Sequence, residues 1–167
     1  MPEEFEGSDP EKFSLPPAFF PPELAGDVRM PTDLGELVEV SVEGVFAGET
    51  AGQKSQFVLL AEGGRKLPIM IGPFEAQAIS FPIEGARPDR PMTHDLIKNL
   101  LDRLDADVDR VVIDDLWSTI YYAKIYVQRG DEEMEIDARP SDAIAIAVRY
   151  EVPIFVAEGL LESGSIE

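Results

Sequence analysis

Residues 137–142 read Asp-Ala-Arg-Pro-Ser-Asp, which puts two carboxylates, a guanidinium and a hydroxyl within six positions. Carboxylates this close can hold a divalent metal, which prefers oxygen ligands. Magnesium or manganese at Asp137 and Asp142 would activate a water and offset phosphate charge. Arg139 could hold that phosphate, with Ser141 beside it. A plainer reading uses the same residues. Asp137 would pair with Arg139 on a solvated strand face, and Asp142 would stabilise the start of a helix.

Other candidates lie upstream. His94 is the only histidine and is followed by Asp95. Histidine is the residue type best suited to moving protons near neutral pH; an exposed residue in a first helical turn is the simpler role. Arg90, four residues earlier, could bind phosphate or pair with local acids. Tyr122, Lys124 and Tyr126 alternate along one strand-like run. Nucleobases stack on such a platform, but cross-strand packing explains it equally well.

The elements that must position these residues read clearly. Strands are expected over 37–46, 56–62, 66–72, 107–117, 119–130, 132–138 and 152–158, from alternation and from the turn signals Gly63-Gly64 and Gly130-Asp131. A helix is expected from Pro73, with Pro82 shortening or kinking it. The clearest helix is 93–105, where Thr93 suits the N-cap and Leu96, Leu100, Leu101 and Leu104 form one stripe. Another spans 140–151.

A shift of 67 residues lays LPIMIGPFEAQAIS (67–80) on MEIDARPSDAIAIA (134–147). Pro73 meets Pro140, Glu75 meets Asp142, and Gly63 meets Gly130. In both stretches proline suits the first helical position. Glu75 and Asp142 then fall at the third, where an acid meets the positive helix end. The second stretch replaces Met70, Gly72 and Phe74 with Asp137, Arg139 and Ser141. The expected fold is α+β: duplicated β-β-β-α units in a mainly antiparallel sheet, open or curled into a barrel, with flanking helices. Phe57–Leu60 is apolar on both faces, so a barrel or a second chain must cover the outer one. A homodimer is the favoured answer, through Met70, Phe74 and Phe81.

Composition narrows the classes. The apolar fraction of 44% is enough for a core. Residues 1–35 hold seven of the fourteen prolines and read as an extended or disordered acidic extension, with Phe19 and Phe20 docking loosely or binding a partner. Residues 36–167 form the domain. There is no cysteine, hence no disulfide. The N-terminus lacks a signal-peptide pattern and no stretch is apolar enough to span a bilayer, so a cytoplasmic protein is expected. The net charge of −19 repels nucleic acid and anionic membranes at long range. It also suits a high-salt cytoplasm, where self-repulsion is screened.

Three stretches, LPIMIGPFEAQAI, RPMTHDLIKNLL and IDARPSDAIAIA, occur in an order and spacing that resembles the bifunctional nuclease domain family. The resemblance covers roughly residues 36–165. It implies nuclease activity on RNA and DNA, with family motif positions at Glu75, Arg90, Thr93, His94, Asp95, Asp137, Arg139, Ser141 and Asp142. Pro82 departs from the family pattern, in which a helix usually continues. The expected function is metal-assisted phosphodiester hydrolysis, with Glu75, His94, Asp95, Asp137 and Asp142 as catalytic candidates. Arg90, Arg139 and Ser141 would bind substrate. The alternative is a non-catalytic dimeric interaction or regulatory module on the same fold.

Overall fold

The computed structural model describes residues 33–166. The expectations for residues 1–32, including those for Phe19 and Phe20, lie outside the described residues. The elements run β1 (Leu37–Thr50), β2 (Gln53–Glu62), β3 (Arg65–Ile71), α1 (Pro73–Glu84), α2 (Thr93–Arg103), β4 (Asp107–Trp117), β5 (Ile120–Arg129), β6 (Glu132–Ala138), α3 (Pro140–Tyr150), β7 (Ile154–Ala157) and α4 (Glu158–Gly164).

All seven strands form one sheet in the order β3-β2-β1-β7-β4-β5-β6. Every pairing is antiparallel except β4 with β7. The sheet is open, with β3 and β6 at its edges, so it is not the barrel that the two-sided strand β2 had suggested. β7 enters from the far end of the chain and joins two three-strand meanders through β1 and β4. Each meander is followed by a helix that begins at a proline, α1 at Pro73 and α3 at Pro140. The tight turns before β3 and β6 both use a glycine at φ 58°, Gly63 and Gly130. That left-handed backbone is the one glycine adopts without steric cost.

One sheet face carries the core. Val58, Leu60, Leu67, Val111, Ile113 and Val127 pack with Ile79 of α1, Ile144 and Ile146 of α3, and Leu160 and Leu161 of α4. A Cβ on Gly164 of α4 would collide with Leu67 of β3 and crowd the Tyr121 hydroxyl of β5. The sheet therefore curls enough to bring residues of both halves under α4 without closing. Ile166 donates its N–H to the Lys66 carbonyl at 2.8 Å, covering part of the β3 edge.

The outer face of β2 is covered in part within the chain. Phe57 stacks on Phe46 with ring centroids 5.9 Å apart. Two other apolar features stay open. Met70 and Phe74 are 70% and 80% exposed, whereas Phe81 is half-buried. The α2 stripe faces outward: Leu96, Leu100 and Leu104 are exposed, and Leu101 alone of the four packs on the core.

Leu34, ahead of β1, also touches the core. The Gly159 N–H donates to the Leu34 carbonyl at 2.7 Å. No helix among the described residues is long and apolar enough to cross a membrane.

Candidate functional site

The site is built where the N-termini of α1 and α3 meet the first turn of α2. Glu75 and Asp142 occupy the third positions of their helices, as the proline register requires. Gly72 caps α1, and a Cβ there would clash with the Glu75 carboxylate. Its glycine therefore lets Glu75 fold back over the helix end. In α3 the equivalent cap is Arg139. The Arg139 guanidinium turns onto its own helix, with Nε 2.7 Å from Asp142 Oδ2 and Nη2 3.1 Å from Oδ1. Its Nη1 donates across to Glu75 Oε1 at 3.0 Å. Arg139 thus bridges the acids of both helix ends.

His94 enters from α2. Its Nε2 lies 2.9 Å from Asp142 Oδ1, and its side chain is 12% exposed. A carboxylate at Nε2 favours the tautomer protonated there and leaves Nδ1 as the acceptor. Burial opposes ionisation of Asp142, but hydrogen bonds from Arg139 and His94 outweigh it and hold the carboxyl below its usual range. Arg139 is held firmly protonated, by Asp142 first, against its partial burial, and then by Glu75. These groups line a cleft of about 550 Å³ together with Phe74, Met92, Thr93 and Ile97.

Asp95 faces away from this cleft and supports it. Its Oδ2 accepts the Met92 N–H at 2.9 Å, and its Oδ1 accepts from Arg149 Nε at 2.7 Å. Met92 is therefore the N-cap and Thr93 the first helical residue, so the helix starts one residue earlier than the expected Thr93 cap implied. Burial works against the charge on Asp95, yet Arg149 and the Met92 N–H hold its carboxyl below the usual range. The Arg149 side chain is only 5% exposed. It also donates to the carbonyls of Ala78 at 2.6 Å and Ala145 at 2.8 Å. One guanidinium thus joins α1, α2 and α3 behind the cleft. Nothing in the sequence motifs marked Arg149; its distance along the chain from Asp95 hides the pairing.

Three candidates stand apart. Asp137 is exposed on β6 and does not line the cleft. Arg90 is exposed in the α1–α2 connection. Ser141 is buried at the start of α3 and contributes no cleft surface. The tyrosine–lysine strand face is internally satisfied. Tyr126 donates to Glu135 at 3.0 Å, Lys124 pairs with Asp114 at 2.7 Å, and Arg110 covers the Tyr126 ring. That is the cross-strand reading.

The expected metal pair does not fit this arrangement. Both oxygens of Asp142 already accept from the Arg139 guanidinium, and Oδ1 also faces His94 Nε2, so a divalent ion would have to displace these partners. Among the described residues, no three acid or histidine side chains are grouped as a site built from protein ligands alone would need.

Comparison with known proteins places these residues in context. Residues 57–167 match the model of the bifunctional nuclease domain, a span that includes Glu75, His94, Arg139 and Asp142. An uncharacterized protein of Mycobacterium tuberculosis is 39% identical over 128 residues, 77% of this chain and 76% of its own. Bifunctional nuclease 2 of Oryza sativa subsp. japonica is 31% identical over 122 residues, and that of Arabidopsis thaliana 32% over 114. The alignments take in 71% and 65% of this chain but only 38% and 35% of those plant proteins. The matched domain and these relatives together make the chain a member of the bifunctional nuclease domain family.

Proposed function

We propose that the chain hydrolyses phosphodiester bonds of RNA and DNA in the cleft between α1, α2 and α3. The observation that carries this reading is the Glu75–Arg139–Asp142–His94 chain of contacts. A guanidinium has five N–H donors, and Arg139 uses three of them on Asp142 and Glu75, which leaves two. One of these is on Nη1 and one on Nη2, and guanidinium N–H groups are strong donors to phosphate oxygens. His94, oriented by Asp142, would take the proton of the attacking water or ribose hydroxyl as the new P–O bond forms. The leaving oxygen, on the far side of phosphorus, gains its proton from solvent water as its bond breaks, and the imidazole gives its own proton up to solvent afterwards. Glu75 holds the guanidinium from its other side.

A second reading rests on the α2 stripe. Leu96, Leu100 and Leu104 fall on one helix face and are exposed, which favours a homodimer through α2 in place of Met70, Phe74 and Phe81.

The test is cleavage of single-stranded RNA and DNA by wild type, His94→Asn, Arg139→Gln and Asp137→Ala, each with and without magnesium or manganese. The first two variants should lose roughly 10²- to 10⁴-fold in rate, and Asp137→Ala should stay within a few-fold. An inactive Asp137→Ala beside an active His94→Asn would move the chemistry to β6 and discard this site.

A further inference from the structure

We infer that Phe74 is a nucleobase-stacking residue, and that it confines the proposed reaction to unpaired nucleotides. The inference rests on the phosphodiesterase reading and adds what the cleft must recognise beyond phosphate.

Phe74 sits at the second position of α1, directly before Glu75, and lines the same cleft as Arg139 and His94. Its side chain is 80% exposed, more than any other large apolar residue described. The helix needs no aromatic group there; the equivalent position of α3 is Ser141. The core does not use the ring, since Ala76, Ala78 and Ile79 supply the buried face of α1. Exposed aromatic surface beside an available guanidinium has the two parts of a nucleotide site, a π-face for the base and N–H donors for its phosphate.

Charge makes the stacking part necessary. Arg139 brings one positive charge and is flanked by two carboxylates. The whole chain carries −19. Long-range attraction of a polyanion is therefore missing, and the contact energy has to come from a group that charge does not oppose. A phenyl ring offers no hydrogen bond to read base or sugar, so it accepts RNA and DNA alike. It also needs a free base face, which a base inside a duplex presents only after leaving the stack.

The experiment compares Phe74→Ala and Phe74→Trp with wild type on a single strand, on the same strand annealed to its complement, and on an abasic strand of equal length. Wild type should cleave the single strand far faster than the duplex or the abasic strand. Phe74→Ala should raise KM on the single strand roughly 5- to 100-fold, the range expected for one lost stacking contact, with kcat little changed. Phe74→Trp should keep the wild-type KM, and its added emission, above that of Trp117, should be quenched by the single strand. Quenching without cleavage in any protein would leave the stacking inference standing and remove the phosphodiesterase reading. An unchanged KM in Phe74→Ala, equal cleavage of duplex, or a change in the mass of Phe74→Ala by light scattering would overturn the inference. The last result would mean that a second copy covers the ring.

Discussion

The Arg149 guanidinium donates at 2.6 Å to the carbonyl of Ala78, four residues before Pro82. In an unbroken helix that carbonyl would accept the N–H of residue 82. Proline has none. Arg149 supplies the missing donor from the neighbouring helix, and α1 continues through Pro82 to Glu84. The same side chain then reaches Asp95, the residue after His94. A break in one helix is thereby tied to the placement of the histidine in another.

The relationship predicts a coupling. Replacing Arg149 by Met removes the side-chain donor from the Ala78 and Ala145 carbonyls and from Asp95 Oδ1, at a cost of about 2–3 kcal/mol, since Asp95 keeps the Met92 N–H and can still reach water. In a Pro82→Ala background the Ala78 carbonyl regains a helical N–H, so the same replacement should cost about 1 kcal/mol less. Denaturant unfolding of the four proteins in the cycle gives the number. Strict additivity would show that Arg149 does not stand in for the lost helical bond.

Much of this framework was legible in the sequence. Strand alternation and paired glycine turns placed both meanders, and two prolines set Glu75 and Asp142 at matching helix positions. The 67-residue register also marked Arg139 as a departure from Gly72, and that departure bridges the two acids. What stayed hidden depends on tertiary geometry. Asp137 and Asp142 are five residues apart, but a strand end and a helix start send them to different surfaces. The α2 leucines have the period of a core-facing stripe, and periodicity cannot say whether a helix packs that face inward. Asp95 counted as a catalytic candidate because it is an acid at a family motif position; only the fold shows Arg149 behind it.

Acid should weaken the fold through these carboxylates. Asp95 and Asp142 both ionise more readily in the folded chain than at their ordinary value of 3.8. The stability this adds is complete above that value and is lost as pH falls through the lower folded values. Denaturant midpoints should therefore not vary through these two groups between about pH 5 and 7, and should drop below about pH 4. Asp142→Asn should flatten part of that drop by removing one titrating group. If the variant and wild type lose stability with the same slope in acid, Asp142 is not held by Arg139 and His94 in solution.

Self-association through α2 should respond to salt in the opposite sense to an ion-paired interface. Leu96, Leu100 and Leu104 offer apolar contact, while each copy carries −19 at neutral pH. Burial of apolar surface is not screened, but repulsion between two anionic copies is, with a Debye length that shortens from about 10 Å at 0.1 M to about 3 Å at 1 M. Raising salt should therefore move the mass measured by light scattering toward the dimer. Leu100→Lys puts a cation in the middle of the stripe and should hold the protein at monomer mass at every salt concentration. The side chain is more than half exposed, so this change should leave the thermal midpoint within a few degrees of wild type. A dimer that survives Leu100→Lys must be built on another surface, with Met70 on β3 the next to be substituted. A wild-type monomer at high protein and high salt would leave the α2 stripe without a second copy to cover it.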